Sequence, residues 1–275
     1  MDHGLYTAYL GMRARQRTLD VMANNIANAS TPGFKADRTL YRSVEAAEIE
    51  AATMGATTMG AAAGRPATRA VIAEDQIIDT SHDASHGRNI GVVTRTVSDF
   101  SNGMIRQTGR ALDVALEGDG FLVVQTGRGE RYTRAGSLAL NPAGQLITQQ
   151  GDLVVGEKGP ITVGPGQMLV GANGDISVDG QPVATLKLVR FDNPRTALLK
   201  EGESLFIATD PKNNPPVPAT GTRVTEGALE ASNVASVSEM AAMIQNSREF
   251  DTLQKSITML MNDLGRKVAS EIGRL

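Results

Sequence analysis

Apolar positions recur along this chain with two different spacings, a helical one at each end and a short, strand-like one between. Leu5, Met12, Leu19 and Ile26 stand seven residues apart. At 100° per residue Tyr9, Met22 and Ala23 fall within about 80° of the line they draw. Asn24, Asn25 and Asn28 project from the opposite side, and no proline interrupts Asp2 to Ala29. The pattern predicts an N-terminal helix with one apolar and one amide-rich face. That helix should stop at Ser30-Thr31-Pro32-Gly33-Phe34. Proline disfavours helical geometry at the residue before it, and Pro-Gly suits the two central positions of a type II turn.

Lys35 to Ala52 is mixed and Ala-rich, and Thr53 to Ala67 is a low-complexity run of small residues, the composition of a mobile loop or extended arm. From Val71 to Val224 short apolar runs take over: Phe121–Val124, Leu153–Val155, Ile161–Val163, Met168–Val170, Ile176–Val178 and Leu186–Val189. Turn residues separate them, including Asp119-Gly120, Asn141-Pro142-Ala143-Gly144, Gly164-Pro165-Gly166, Asn173-Gly174 and Asp179-Gly180. Runs of that length at intervals of about 8–12 residues describe an all-β domain.

After Gly227 the helical period returns. Ser236-Val237-Ser238-Glu239 has the capping-box spacing, and Met243, Phe250, Ile257 and Leu264 again stand seven apart, flanked by Met240, Leu253, Leu260, Met261 and Val268. Arg248, Lys255, Asp263 and Arg266 point away from this stripe. The two helices would be about 40 Å and about 50 Å long, whereas a 150-residue β domain is only about 30 Å across. Each helix therefore overhangs, and part of each stripe must meet something else. The predicted fold is α+β: long N- and C-terminal helices pairing as an antiparallel coiled coil, with a central all-β domain. The predicted organisation is an N-terminal core helix (1–34), a linker or extended arm (35–70), a central β domain (71–226) and a C-terminal core helix (227–275).

Composition narrows the function classes. An apolar fraction of 41% furnishes a core, but aromatics are 4% with no Trp, so cohesion is expected from many small aliphatic contacts. With 27 basic and 30 acidic residues the net charge is −3, which offers no field for nucleic acid or an anionic membrane. Zero Cys excludes disulfides and thiol chemistry. Asp2, Arg13, Arg15, Arg17 and Asp20 interrupt any secretory h-region, so no cleavable signal is expected, and no apolar run of about 18 residues predicts membrane insertion.

Candidate chemistry is thin. His82 and His86 have the i, i+4 spacing of a helical metal site, but Ser81–Arg88 is polar and poorly patterned, the mark of an exposed loop. Asp175 to Gly180 resembles the start of a calcium loop, yet the position that needs Glu is Leu186, so two hairpin turns explain it better. The glycines of Gly118-Asp119-Gly120 and Gly127-Arg128-Gly129 lack the spacing of a phosphate-binding loop. No catalytic, cofactor or metal residue is assigned. The asparagines are different: Asn is a mediocre helix former, so Asn24, Asn25 and Asn28 near a helix end point to a hydrogen-bonding role at an interface.

Two stretches resemble a known family. Ala23-Asn24-Asn25-Ile26-Ala27-Asn28-Ala29-Ser30-Thr31-Pro32-Gly33-Phe34-Lys35 is similar to the N-terminal signature of flagellar rod and hook proteins, and Gly227-Ala228-Leu229-Glu230-Ala231-Ser232-Asn233-Val234 with Met240 to Ile244 resembles their second signature. The opening Met1 to Ala8 and the middle Leu112 to Phe121 most resemble the proximal-rod members, and the similarity lapses only over Thr53 to Arg69.

The resemblance implies a non-enzymatic subunit of the rod that crosses the periplasm, the torque-transmitting drive shaft. It would leave through the flagellar type III export apparatus without a cleaved signal. The implied partners are further copies of the chain and other proximal and distal rod subunits. The expected assembly contacts are Leu5, Met12, Leu19, Met22, Asn24, Asn25, Ile26, Asn28, Pro32, Gly33, Phe34, Met243, Phe250, Ile257, Leu260 and Leu264. The rivals are a distal-rod or hook-type subunit and, from another class, a peptidoglycan-cutting enzyme for which the sequence holds no catalytic constellation.

Overall fold

The computed structural model describes residues 2–45, 90–202 and 204–272. The low-complexity run Thr53 to Ala67, most of the expected arm, and His82 and His86 lie outside them. The described helices are α1 (Asp2–Ala27), the one-turn α2 (Pro194–Ala197) and α3 (Ser236–Ile272). The chain divides into two compact units, one of residues 1–23, 38–97 and 240–275, the other of 24–37 and 98–239. No described helix is long and apolar enough to cross a membrane.

In the first unit α1 and α3 touch and run antiparallel. Asn246 directs its side-chain amide at the Met22 sulfur, 3.8 Å away, and accepts a 2.8 Å hydrogen bond from Arg15 Nη1. Arg15 also reaches Glu249 at 2.8 Å, so a lower position on α1 meets a higher one on α3. The strands Asp37–Glu45 and Ile90–Ser98 pair as a ribbon, and the Tyr41 hydroxyl donates to the Ala14 carbonyl at 3.2 Å.

This ribbon corrects the sequence reading twice. Its first strand begins inside the segment read as linker, and it gives α1 a second buried side. Leu10 and Thr18 are buried, a half-turn away from the Leu5–Met12–Leu19 line on a 3.6-residue helix. Met12 and Leu19 are only half-buried. The deepest face of α1 is thus the one the periodicity assigned to the back.

The second unit holds the β structure. Its largest sheet is built on Phe121–Thr126, which pairs antiparallel with Gly129–Thr133 along one edge. The other edge is shared by Leu153–Gly156 and Leu188–Arg190. Side chains alternate across a strand, and here both sides are core. Leu122 and Val124 enter an aliphatic cluster with Leu138, Leu146, Val154 and Ile176, while Phe121 and Val123 enter a second with Tyr132, Phe191, Leu198 and Phe206. That explains an uninterrupted Phe-Leu-Val-Val run.

The aliphatic cluster fits the compositional expectation, and the few rings gather in the second cluster. Phe100 lies 5.1 Å from Phe206, and Tyr132 lies 5.0 Å edge-on from Phe191. The Asp175–Gly180 segment is a strand and a turn, as expected. Asp175–Val178 pairs with Met168–Val170 and Gln181–Thr185, and Asp179 and Gly180 both have positive φ, 49° and 81°, as a type I′ hairpin turn requires. Ile161–Val163 does not form a full strand: pairing falls on Gly159–Pro160 and on one bridge from Thr162 to Gln145. Ala228–Glu230, in the stretch assigned to the C-terminal helix, is a strand paired with Ile105–Gln107. The helix proper begins at Ser236, where Ala235 supplies the first carbonyl to the Glu239 N–H at 3.0 Å.

Candidate assembly surface and the joint at the helix roots

The sequence-predicted contact residues separate into two groups. Met12, Leu19, Met22, Met243, Phe250 and Ile257 lie half-buried on α1 and α3, with Met22 against Asn246, and Leu260 is 47% exposed. Around Leu260 the surface of α3 stays apolar, with Met259 67% and Met261 58% exposed. Leu5 and Leu264 lie on the same helices, at positions whose side chains are not described. Asn24 is exposed, and Ile26 and Pro32 are half-buried.

Asn25, Asn28, Gly33 and Phe34 are turned into the subunit itself. The expected amide-rich outer face is therefore turned inward at two of its three positions, for a physical reason. The chain reverses at Pro32-Gly33, and the Asn25 side chain bridges the reversal. Its Nδ2 donates to the Asp37 carbonyl at 2.8 Å, and its Oδ1 accepts from the Asp37 N–H at 2.9 Å. Asn28 closes the helix end, donating to the Asn24 carbonyl at 3.0 Å and accepting from the Thr31 hydroxyl at 3.1 Å. The turn is type II as predicted, with Gly33 at φ 69° and the Phe34 N–H bonded to the Thr31 carbonyl.

Beyond the turn the chain meets residues nearly two hundred positions away. Gly33 N–H donates to the Glu230 carbonyl at 2.8 Å. The Ala36 N–H donates to Asn233 Oδ1 at 2.7 Å, and Asn233 Nδ2 donates to the Asp99 carbonyl at 2.8 Å.

At the centre Lys35 Nζ, Glu230 and Arg134 are all buried. Lys35 Nζ stands 2.7 Å from Glu230 Oε1 and donates to the Ser101 carbonyl at 2.8 Å. Arg134 approaches Glu230 Oε2 at 3.4 Å and donates to the carbonyls of Leu116 and Gly118. The Gly103 N–H donates to Glu230 Oε1 at 2.8 Å. Two cations share one carboxylate, and backbone carbonyls take surplus donors of both, while the buried Arg134 Nε has no hydrogen-bond partner among the described residues. Burial pushes the Lys35 ammonium below its ordinary pKa and does the same to Arg134, in each case against the pull of Glu230. Lys200 is likewise lowered by burial and held against this by Asp37, 2.9 Å away, while its Nζ sits 3.7 Å above the Phe34 ring.

Lys35, Glu230, Arg134 and Asn233 carried no role in the sequence reading. The available signal was a single acid in the apolar run Ala228-Leu229-Glu230-Ala231 and a single base after Phe34. Such charges fold inside only when paired.

Residues 5–35 match the family model described as flagella basal body rod protein, and residues 225–264 match the flagellar basal body rod FlgEFG protein C-terminal model. Residues 115–180 match the flagellar hook protein FlgE/F/G D1 domain. The joint thus lies where the first and last matched regions meet. The chain is 32% identical over 278 residues to the flagellar basal-body rod protein FlgF of Caulobacter vibrioides, covering 100% of both chains. It is 35% identical over 280 residues to that of Escherichia coli, covering 97% of each. The chain belongs to the flagellar basal-body rod protein family. A FlgG rod protein, that of Borreliella burgdorferi, is also similar, at 31% identity over 96% of this chain. The protein is a structural subunit of the flagellar basal-body rod, in agreement with the resemblance read from its signatures, and family membership implies assembly with other rod subunits. Among the described residues no three His, Asp or Glu side chains gather as a metal site.

Proposed function

We propose that this rod subunit polymerises through α1 and α3, at a proximal-rod position, with further copies of itself and with sibling proximal and distal subunits as neighbours, after delivery by the flagellar type III export apparatus. The observation that carries this reading is the unmatched apolar surface of the helix pair. α3 has 37 residues against 26 in α1, eleven more, or about 16 Å of helix. Along it Met240, Ile244, Met259, Leu260 and Met261 are each about half exposed or more. Exposed apolar surface on that scale marks an interaction site. Isolated helices are marginal in water without an apolar face to bury, so the ends gain order as neighbours cover them, and packed helices then transmit torque through a close-packed interface. The proximal placement rests on the full-length similarity to FlgF proteins.

Two substitutions test the reading. Leu19→Asp and Leu260→Asp should each abolish recovery of the subunit in isolated basal bodies while leaving the thermal transition of the β unit within about 2 °C of wild type, since neither residue belongs to that unit. Leu260 is exposed in the subunit, so a failure of that variant cannot be traced to its own folding. Normal incorporation of both variants would refute assembly through these faces.

A further inference from the structure

Signature residues, among them Asn25, Asn28 and Gly33 that were expected at contacts between subunits, are engaged inside one. Asn25 and Asn28 spend their amides on the chain reversal, Gly33 and Ala36 donate to residues of the C-terminal signature, and Lys35 and Glu230 form a buried pair separated by 195 positions. Two glycines show how close the backbones approach. A Cβ on Gly33 would lie 2.4 Å from the Arg134 carbonyl carbon and the Ala135 nitrogen, and one on Gly103 would lie 1.9 Å from the Ala231 carbonyl oxygen. No side chain fits at either place. The same unit includes the last residues of α1, from Asn24, and the first of α3, to Glu239.

We infer that the two signatures form an intrachain clamp that closes in the free subunit, fixing both helix roots on the β unit before any neighbour arrives. The clamp is cooperative because one carboxylate is shared. Glu230 holds Lys35, Arg134 and the Gly103 N–H through its side chain, and the Gly33 N–H through its carbonyl. Loss of the negative charge leaves two buried cations without the carboxylate they share, so the surrounding segments open together and not one at a time. Assembly then acts on helices whose roots are already set. This inference stands apart from the proposed polymerisation surface: Leu19→Asp tests the helices, and the experiment below tests the roots.

The experiment is amide hydrogen exchange on the full-length, unassembled subunit. In wild type the amides of Gly33, Ala36, Asp37, Gly103 and Ala231 should exchange at least ~100-fold more slowly than those of residues 5–20. In Glu230→Gln all five should lose protection together, by ~100-fold or more, while Val114 and Val123 in the core stay protected. Asn233→Ala keeps every charge and removes the side-chain bridge that joins Ala36 to Asp99 and Ser101. It should weaken protection less than Glu230→Gln and serves if the charge variant does not fold. Wild-type joint amides that exchange as fast as those of residues 5–20 would overturn the clamp. So would a Glu230→Gln effect confined to Gly103.

Discussion

Replacing Asn25 by alanine separates the intrachain role of the asparagines from a role at a neighbour's surface. The residue is 1% exposed, and its amide makes paired hydrogen bonds of 2.8 and 2.9 Å with the Asp37 backbone. Losing two such bonds removes about 2 kcal/mol, and stranding the half-buried Asp37 amide and carbonyl adds about 1 kcal/mol, water reaching them in part. Alanine returns about 0.6 kcal/mol through its better helix propensity. The net loss is then about 2 to 2.5 kcal/mol, which for a protein of this size lowers the melting temperature by about 4–10 °C.

Asn24→Ala is the matched control. That side chain is exposed and makes no hydrogen bond among the described residues, so the propensity gain should appear alone as about 0.5 kcal/mol of stabilisation. Urea denaturation of the purified, unassembled chain, followed by far-ultraviolet circular dichroism, measures both. Neighbouring substitutions of one residue type with opposite signs are the expected result. An Asn25→Ala loss below about 0.5 kcal/mol would refute the reasoning, because the paired bonds would then carry nothing.

Gly33→Ala should cost about 3 kcal/mol or more, since it combines a positive φ with a Cβ driven into the Arg134 backbone; a melting curve like wild type would show that the turn relaxes. The Glu201 carboxyl is held below its ordinary value, chiefly by the hydrogen bond from Arg131. A depressed folded value means this support is complete above the unfolded value of about 4.3 and is withdrawn as pH falls through the folded one. Glu201→Gln should therefore flatten the acid limb of the stability profile below about pH 4.3 and leave its neutral slope unchanged; an unaltered acid limb would contradict the pairing.

The elements that local chemistry dictates were legible in the sequence. Pro32-Gly33 announced the end of α1 and a type II turn, Asp179-Gly180 announced a hairpin, and the returning seven-residue spacing announced α3. What stayed hidden depends on partners remote in sequence. The strand Asp37–Glu45 pairs with Ile90–Ser98, and without that ribbon the face of α1 carrying Leu10, Thr18 and Asn25 looks like the solvent side. The same blindness misplaced the asparagines. Asn25 was singled out because its propensity is poor, which is sound, but propensity says only that an amide is wanted and not which backbone wants it. Lys35 and Glu230 are each unremarkable alone; their meaning appears when the fold brings them to 2.7 Å.

The salt bridge between Lys35 and Glu230 also turns everything between them into a closed excursion of the chain. Once such a loop is pinned at its neck, its length hardly matters to the ends: doubling the excursion raises the closure entropy by only about 0.6 kcal/mol. A module pinned in this way can gain, lose or exchange material in the excursion while its two exits remain in place. The two ends can thus keep one geometry while the stretch of chain between them changes in length.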